Sequence, residues 1–139
     1  MSERNSTVLI VDDESHITHV VALKLQNAGF ETVTAGDGEE GLELAVQHGP
    51  DLVITDLQMP YMSGIELAKA MYAREDLCDV PVLMLTARGY ALEQGDLDDT
   101  HIESVLSKPF SPRQVLAVVE ELLEKSARKA TAQRSNEAA

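Results

Sequence analysis

The fold is decided by a short run of apolar and β-branched residues that ends in an acid, Leu52-Val53-Ile54-Thr55-Asp56 at positions 52–56. β-Branched residues fit the pleated backbone of a strand, so this run predicts a strand with an aspartate at its carboxyl end. Similar short runs occur on both sides of it along the chain. They predict four further strands at residues 8–11, 31–35, 80–86 and 104–107.

Amphipathic stretches separate the predicted strands. Apolar residues recur on one helical face over residues 15–28, and Gly29 is typical of a helix end. Further helices are predicted over residues 38–47, behind residue 63 and behind residue 111, whereas residues 90–99 predict only a short or frayed helix. Capping-box sequences, in which a Ser or Asp precedes a Glu or Gln by three residues, open three of these helices. They are Asp37 with Glu40, Ser63 with Glu66, and Ser111 with Gln114.

The alternation of strands and helices predicts an α/β fold in which helices cover both faces of a parallel sheet. Short connections and right-handed crossovers leave few arrangements of five strands. The simplest is a doubly wound sheet in the order 2-1-3-4-5, a flavodoxin-like fold with five helices. In such a sheet the ligand site lies outside the carboxyl ends of the strands, at the switch point between strands 1 and 3.

The polar residues of the chain collect where this fold predicts a site. The carboxyl ends of four strands carry them: Asp12-Asp13 after the first, Asp56 at the third, Thr86-Ala87 at the fourth and Ser107-Lys108-Pro109 at the fifth. The second strand, which lies away from the switch point, offers no comparable group. This concentration of polar groups predicts a functional site.

Three carboxylates, those of Asp12, Asp13 and Asp56, are expected side by side on neighbouring strands. Like charges at such a distance raise one another's pKa and oppose folding unless a cation lies between them. Oxygen ligands select a hard divalent ion, and a site with few carboxylates and open positions favours Mg²⁺ over Mn²⁺ or Ca²⁺. Each acid alone is explained as well by an ordinary surface position or, for Asp12, by helix capping. The three together favour a metal site.

Two further groups are expected over the same cleft. The ammonium group of Lys108 can pair with Asp56, and it can neutralise a phosphoryl oxygen. The hydroxyl of Thr86 and the backbone N–H of Ala87 can donate to that oxygen, and the small side chain at position 87 leaves room for it. Taken alone, Thr86 is equally typical of an ordinary strand residue.

The length and composition of the chain narrow the class of protein. Its 139 residues fit one domain, and its formal net charge is −13, which repels nucleic acid and anionic lipid. A single cysteine excludes an internal disulfide, and the amino terminus resembles neither a signal nor a membrane span, so a cytoplasmic location is expected. We assign residues 1–125 to one domain and residues 126–139 to a helix extension or disordered tail, with no output domain.

The chain resembles the receiver domains of two-component response regulators from Val8 to about Leu123. The resemblance rests on four motifs: V-D-D-E at 11–14, D-L-Q-M-P-Y-M-S-G at 56–64, L-T-A at 85–87 and S-K-P-F at 107–110. Each motif alone is weak, but their order, spacing and placement at strand ends all agree with the family. Within this family, the chain most resembles the stand-alone receivers of the chemotaxis type.

By this resemblance, Asp56 accepts a phosphoryl group from a histidine kinase or a phosphotransfer protein. No general base is implied, because a carboxylate is already ionised near pH 7. Asp13, Asp56 and the backbone carbonyl of Gln58 would hold Mg²⁺ directly, and Asp12 would act through water. The family's phosphoryl chemistry therefore implies the same metal that the carboxylates favour.

The resemblance also assigns Thr86, the Ala87 N–H and Lys108 to the oxygens of the transferred group. The Lys108–Pro109 bond resembles the family's cis peptide. Phosphorylation would draw Thr86 toward Asp56 and shift a pre-existing equilibrium toward a surface formed by the fourth helix, the fifth strand and the fifth helix. An unidentified partner protein that prefers this surface would read the signal.

Three positions bear on how this chain would differ from its family. Three residues before Lys108 the family usually carries Tyr or Phe as a rotamer switch, whereas this chain has Val105. Gln58 and Arg88 occupy the positions that modulate the lifetime of the phosphorylated state. Both side chains are long, so we predict slow self-dephosphorylation.

Two alternatives to a stand-alone signalling domain stay open from the sequence. The first is a receiver excised from a hybrid kinase or a multidomain regulator, in which the residues after Lys125 form a linker. The second, less favoured, is a Mg²⁺-dependent phosphohydrolase that forms an aspartyl phosphate, but such enzymes use a second acid two residues after the nucleophile and this chain has Gln58 there. That difference favours a phosphoacceptor that does not turn over a substrate.

Overall fold

The computed structural model describes residues 6–87 and 92–138, with side chains as far as residue 127. Five parallel strands form one sheet in the order β2-β1-β3-β4-β5, which confirms the predicted arrangement. The strands are β1 Thr7–Val11, β2 Glu31–Ala35, β3 Leu52–Asp56, β4 Val82–Thr86 and β5 Ile102–Ser107. The switch point, where the chain leaves β1 for β2 and returns to β3, therefore lies between β1 and β3.

Helices cover both faces of the sheet. They are α1 Ser15–Asn27, α2 Gly38–His48, α3 Gly64–Tyr72, α4 Gln94–Leu97 and α5 Pro112–Ala138. Helix α1 packs against α5, and α2 packs against α3. The short helix expected within residues 90–99 is α4, which has four residues, while residues 90 and 91 lie outside the described part. Within the described ranges, no helix combines the length and the apolar character that a membrane crossing requires.

Side chains alternate between two cores along the central strands. In β1, Val8 and Ile10 face the core shared with α1 and α5, whereas Leu9 and Val11 face the core shared with α2 and α3. This alternation follows from the two-residue repeat of a strand. Because both faces are covered, every residue of β3 and β4 is buried. Any polar group at the end of these strands therefore lies at the margin of an apolar layer.

The helix caps largely follow the sequence. Both hydrogen bonds of the capping box are present in two of the three predicted boxes, Ser63–Glu66 and Ser111–Gln114. At the third, Asp37 accepts a hydrogen bond from the Glu40 N–H at 2.8 Å, as predicted. The Glu40 carboxylate, however, accepts from the N–H of Gly36 at 2.8 Å and not from Asp37. The prediction of a full box was wrong there, because the Glu40 carboxylate binds the N–H one residue before the N-cap.

Two strand boundaries differ from the predicted ones. Strand β4 begins at Val82, two residues late, because the Val80 N–H donates to Leu77 in a turn and Pro81 has no N–H to give. Strand β5 begins two residues early, at Ile102. Its register shifts between the partners of Val82 and Leu83, so one extra residue, Glu103, is accommodated as an irregularity that the sequence pattern did not reveal.

Candidate functional site

Three aspartates meet at the carboxyl ends of β1 and β3. One carboxylate oxygen from each of Asp12, Asp13 and Asp56 lies within 4.8 Å of the other two. Asp12 and Asp56 are buried, whereas Asp13 is exposed. The three therefore form a pocket that is closed toward the protein and open toward solvent, and its oxygen ligands suit a hard divalent ion.

The sheet itself holds these acids in place. Asp56 is the last residue of β3, which pairs with β1 on one side and β4 on the other. Directly after β1, the Asp12 N–H donates to Ala35 of β2 at 3.1 Å, and an Asp12 carboxylate oxygen accepts from the Glu14 N–H at 2.9 Å. The Asp12 carboxylate thus stabilises the entry to α1, as its capping interpretation expected, and its second oxygen still faces the site.

Within the described residues, one ammonium group reaches this pocket. Lys108 Nζ lies 3.1 Å from Asp56 Oδ1, 3.2 Å from Glu14 Oε1 and 3.8 Å from Asp12 Oδ2. Its backbone N–H donates to the Thr86 carbonyl at 2.8 Å, which ties the end of β5 to the end of β4. The Lys108–Pro109 peptide bond is cis. Lys108 therefore joins the site through both its side chain and its backbone.

Burial governs the protonation of the two inner acids. The pKa of Asp12 is raised to about 6. Burial is the main cause and the negative charge of Asp56 adds to it, whereas the hydrogen bond from the Glu14 N–H and the charge of Lys108 oppose the rise. Burial also raises the pKa of Asp56, although the hydrogen bond and charge of Lys108 pull it down. For Lys108, burial lowers the pKa, but its contacts with Asp56, Asp12 and Glu14 outweigh burial and raise it. One ammonium group thus compensates several carboxylates only in part.

Two polar atoms in the site are buried and lack a hydrogen-bond partner in the described part of the chain. They are Asp12 Oδ2 and Thr86 Oγ1. A buried polar atom left unpaired costs about 1–3 kcal/mol, so such atoms are retained where a ligand satisfies them. The carboxylate oxygen fits a cation or its hydration water, and the hydroxyl fits an anionic oxygen. The residues present therefore suit a divalent metal together with a phosphoryl group.

The loop after Asp56 is packed closely against the sheet. Gly64 lies so near to the backbone oxygen of Asp56 that an added Cβ would overlap it, and the same Cβ would lie 2.8 Å from Met84 Sδ. Tyr61 has a positive φ of 71° and is 92% exposed. Gln58 is exposed and lines a cleft of about 520 Å³ in this loop. The loop is thus anchored at Gly64 and by Leu57, Met59 and Met62, which contact the core, while Gln58 and Tyr61 face outward.

The structure places the remaining predicted residues at the edge of the site or apart from it. Ala87 directly follows β4 and is exposed. Pro109 lines an apolar groove of about 330 Å³ that also contacts Lys108. Val105 lies on β5 with 42% of its surface exposed, so it belongs to a surface and not to the pocket. Arg88 lies outside the described residues, and its predicted effect on phosphate lifetime stays a prediction.

Glu14 is the site residue that the sequence analysis missed. Its carboxylate contacts Lys108 at 3.2 Å, although Glu14 belongs to the beginning of α1 and not to a strand end. Its position directly after Asp12-Asp13 was visible, but many acids occupy the first turn of a helix without touching a site. Only the packing of the β5–α5 connection over α1 brings Lys108 to it.

The family model of the response regulator receiver domain matches residues 8–120. The chain therefore belongs to the response regulator receiver domain family of two-component systems, as the four strand-end motifs indicated. This class of protein accounts for the order of the strands and for the cluster of acids at their carboxyl ends.

Relatives of this chain include longer regulators. It is 36% identical over 122 residues to the alkaline phosphatase synthesis transcriptional regulatory protein PhoP of Bacillus subtilis. The aligned region covers 88% of this chain and 50% of that protein. It is 35% identical over 120 residues to the phosphate regulon transcriptional regulatory protein PhoB of Pseudomonas aeruginosa. This alignment covers 86% of this chain and 52% of that protein. The chain thus spans about half the length of these two relatives.

Solved structures of single receivers match almost from end to end. The chemotaxis response regulator CheY4 of Vibrio cholerae is 34% identical, with a TM-score of 0.78, and the match covers 85% of this chain and 98% of that one. A response regulator from Chloroflexus aurantiacus is 31% identical, with a TM-score of 0.80 over 87% of this chain and 99% of that one. The whole fold described above is therefore that of a receiver domain.

Proposed function

We propose that this chain is a phosphoryl-accepting signalling domain and that Asp56 is the acceptor. The observation that carries the proposal is the convergence of Asp56 with two other acids and with Lys108, whose Nζ lies 3.1 Å from Asp56 Oδ1. A carboxylate between a cation site and an ammonium group is suited to attack phosphorus, since both positive charges offset the charge that develops on the transferred group. An ordinary surface acid has neither neighbour.

The proposed transfer uses the chain's own groups in fixed roles. A carboxylate oxygen of Asp56 forms a bond to phosphorus while the bond from phosphorus to the imidazole nitrogen of a donor phosphohistidine breaks, and the leaving imidazole takes its proton from water. Lys108 binds one transferred oxygen, and the Thr86 hydroxyl and Ala87 N–H donate to another. The unpaired hydroxyl of Thr86 supports this role, because it lies at the end of the strand next to β3.

The acids of the site suit Mg²⁺, with Mn²⁺ as an alternative. We propose that Asp13, Asp56 and the carbonyl of Gln58 hold the ion and that Asp12 acts through water. When bound, the ion offsets repulsion between the carboxylates and the incoming phosphoryl oxygens. The unpaired Oδ2 of Asp12 and the raised pKa of that group support the assignment, because both are relieved by a nearby cation.

The output of the domain is proposed to follow from Thr86. Movement of its hydroxyl toward phosphorylated Asp56 also moves its carbonyl, which accepts the Lys108 N–H at 2.8 Å, and it disturbs the pairing of Thr86 with Ser107 on β5. The surface formed by α4, β5 and α5 responds, and a partner protein binds the altered form. Val105 lies on this surface and is 42% exposed, so the partner meets an aliphatic side chain at that position.

The proposed partners of this chain are proteins. A histidine kinase or phosphotransfer protein supplies the phosphoryl group, and an unidentified protein reads the result. The formal net charge of −13 opposes direct contact with nucleic acid. The transcriptional activity named for PhoP and PhoB belongs to proteins of about twice this length.

The test is phosphorylation by a small acyl phosphate. The protein is incubated with Mg²⁺ and acetyl phosphate, and its intact mass is measured for wild type, Asp56→Asn and Asp99→Asn. Asp99 is a suitable control because it is exposed and has a positive φ of 57°, a conformation that Asn tolerates well. Wild type and Asp99→Asn are expected to gain one phosphoryl group and Asp56→Asn none, and the gain disappears when the metal is chelated.

Equal labelling of all three proteins would contradict the proposal and show that a residue other than Asp56 accepts the phosphoryl group. Continuous release of inorganic phosphate, far beyond one equivalent per chain each minute, would instead favour the phosphohydrolase. The two outcomes are separated by measuring phosphate release and protein mass in the same reaction.

A further inference from the structure

Glu14 is bound to Lys108 and not to the helix that it begins. It occupies the N-cap position of α1, where a side chain usually accepts a hydrogen bond from the first turn, yet its carboxylate makes no such bond. Instead Glu14 Oε1 accepts from Lys108 Nζ at 3.2 Å, across 94 positions of sequence. The Glu14 side chain therefore does not cap α1 but contacts Lys108, which is distant in sequence.

Hydrogen bonds hold the backbone of Glu14 in place. Its N–H donates to Asp12 Oδ1 at 2.9 Å, and its carbonyl accepts from Ile17 at 3.0 Å and Thr18 at 3.3 Å. The side chain itself is 51% exposed, so the contact with Lys108 is what directs the carboxylate toward the end of β5.

Lys108 is consequently shared between Glu14 and Asp56. The two contacts are almost equal in length, 3.2 Å and 3.1 Å, and the side chain of Lys108 is 26% exposed. Asp12 Oδ2, at 3.8 Å, is a third carboxylate neighbour of Lys108 Nζ. Because an ammonium group has only three hydrogens, a phosphoryl oxygen that approaches Nζ competes with these three carboxylates for a donor. Glu14 also adds a negative charge beside a site that an anionic donor must enter.

We propose that Glu14 is a positioning residue that tethers Lys108 at rest, so that phosphorylation of Asp56 requires this ion pair to break. The inference rests on the proposed function of Asp56. It predicts that loss of the tether speeds phosphorylation and raises the phosphorylated fraction at steady state, because the transferred oxygen then competes with one carboxylate fewer for Lys108. Glu14 itself touches neither the donor nor the reacting carboxylate.

Two substitutions separate the tether from the charge. Glu14→Asp keeps the negative charge, but its shorter side chain cannot span the distance to Lys108, and aspartate at this position caps the helix. Glu14→Gln removes the charge. Glu39→Gln is the matched control, since Glu39 is exposed in the first turn of α2 and is not a partner of Lys108.

The experiment measures two quantities for each protein. The first is the rate of phosphorylation by acetyl phosphate in saturating Mg²⁺. The second is the rate at which the Lys108 amine is acylated by a mild reagent, read by peptide mass spectrometry in the absence of any phosphodonor. Both Glu14 variants are expected to raise both rates about two- to fivefold, the range that fits loss of a partly exposed ion pair, and Glu39→Gln is expected to change neither.

The outcomes separate the tether from the function on which it rests. If Glu14→Asp behaves as wild type in both measurements while only Glu14→Gln is faster, charge alone acts and the tether is refuted. Unchanged Lys108 acylation in both variants also refutes it. If acylation rises as expected but no protein is phosphorylated, the tether holds and the proposed function of Asp56 fails.

Discussion

At the scale of single residues, the described part of the site combines two buried acids with one ammonium group, which they share with a third acid. Asp12 is only 1% exposed and Asp56 only 6% exposed, and both share Lys108 with Glu14. Burial of ionised carboxylates costs free energy that one shared ammonium group offsets only in part. This burial is expected to make the stability of the fold depend on pH.

Asp12 is predicted to make the metal-free protein less stable as the pH rises from about 4 to about 6. Its pKa is raised from 3.8 to about 6 in the folded state, whereas the unfolded chain keeps an ordinary value. Between these values the folded state binds more protons, so the free energy of unfolding falls as the pH rises. The shift of about two units corresponds to roughly 3 kcal/mol at most. Urea unfolding at pH 4.5 and pH 7 with a chelator measures it.

Asp12→Asn provides the control for this prediction. It removes the titrating group while nearly preserving its shape, so this part of the pH dependence is expected to disappear, and the variant is expected to be more stable than wild type at pH 7 without metal. Millimolar Mg²⁺ should stabilise wild type at pH 7 more than the variant. A variant less stable than wild type at pH 7 in chelator would contradict the argument.

At the scale of elements, the connection from β3 to α3 depends on one close approach. Gly64 begins α3, and any Cβ there would overlap the backbone oxygen of Asp56. The capping box of Ser63 and Glu66 fixes the same turn, so the helix cannot easily move away. The position of Asp56 therefore depends on the absence of a side chain eight residues later.

Gly64→Ala is predicted to destabilise the protein by about 3 kcal/mol or more and to lower the rate of Asp56 phosphorylation, because the overlap involves backbone and must displace the loop. Gly95→Ala is the matched control. Nothing lies within 4 Å of a Cβ at Gly95, which is part of α4, so alanine there should be neutral or stabilise by up to about 1 kcal/mol. Thermal unfolding of both variants beside wild type makes the comparison, and equal stability of the two would refute it.

At the scale of the whole molecule, the core residues of α5 that the structure describes lie in the first half of the helix. The last buried apolar residue of α5 in the described side chains is Leu122, with Leu123 partly buried beside it. Lys125 pairs with Glu103 on β5 at 3.1 Å, and Glu103 also contacts His101 at 2.8 Å. The family match likewise ends at residue 120. The domain proposed for residues 1–125 thus contains every described core residue.

Removal of residues 126–139 is predicted to leave the domain folded and competent. No buried apolar side chain described here is lost, so the midpoint of thermal unfolding should change by no more than about 4 °C, which corresponds to roughly 1 kcal/mol or less for a domain of this size. Phosphorylation of Asp56 by acetyl phosphate should proceed at the rate of the full chain. A truncated chain that fails to fold would show that the end of α5 belongs to the domain.

The sequence by itself determined the elements, their order and the family. Short apolar runs in the central strands, capping residues before α3 and α5, and polar groups at four strand ends were all visible as local patterns, because hydrogen bonding and burial impose them within a few residues. The local details that it did not show, such as the partner of Glu40 and the irregularity at Glu103, depend on neighbours brought in by folding.

Only the tertiary structure decided which groups share the charge of Lys108. The contact between Glu14 and Lys108 joins residues 94 positions apart, and the burial that raises the pKa of Asp12 comes from packing around the ends of the strands. Distances and desolvation depend on the three-dimensional arrangement of several segments at once, and no local pattern encodes them. The residue types therefore predicted which groups form the site. They did not predict which carboxylates share Lys108 or how far burial raises the pKa of Asp12.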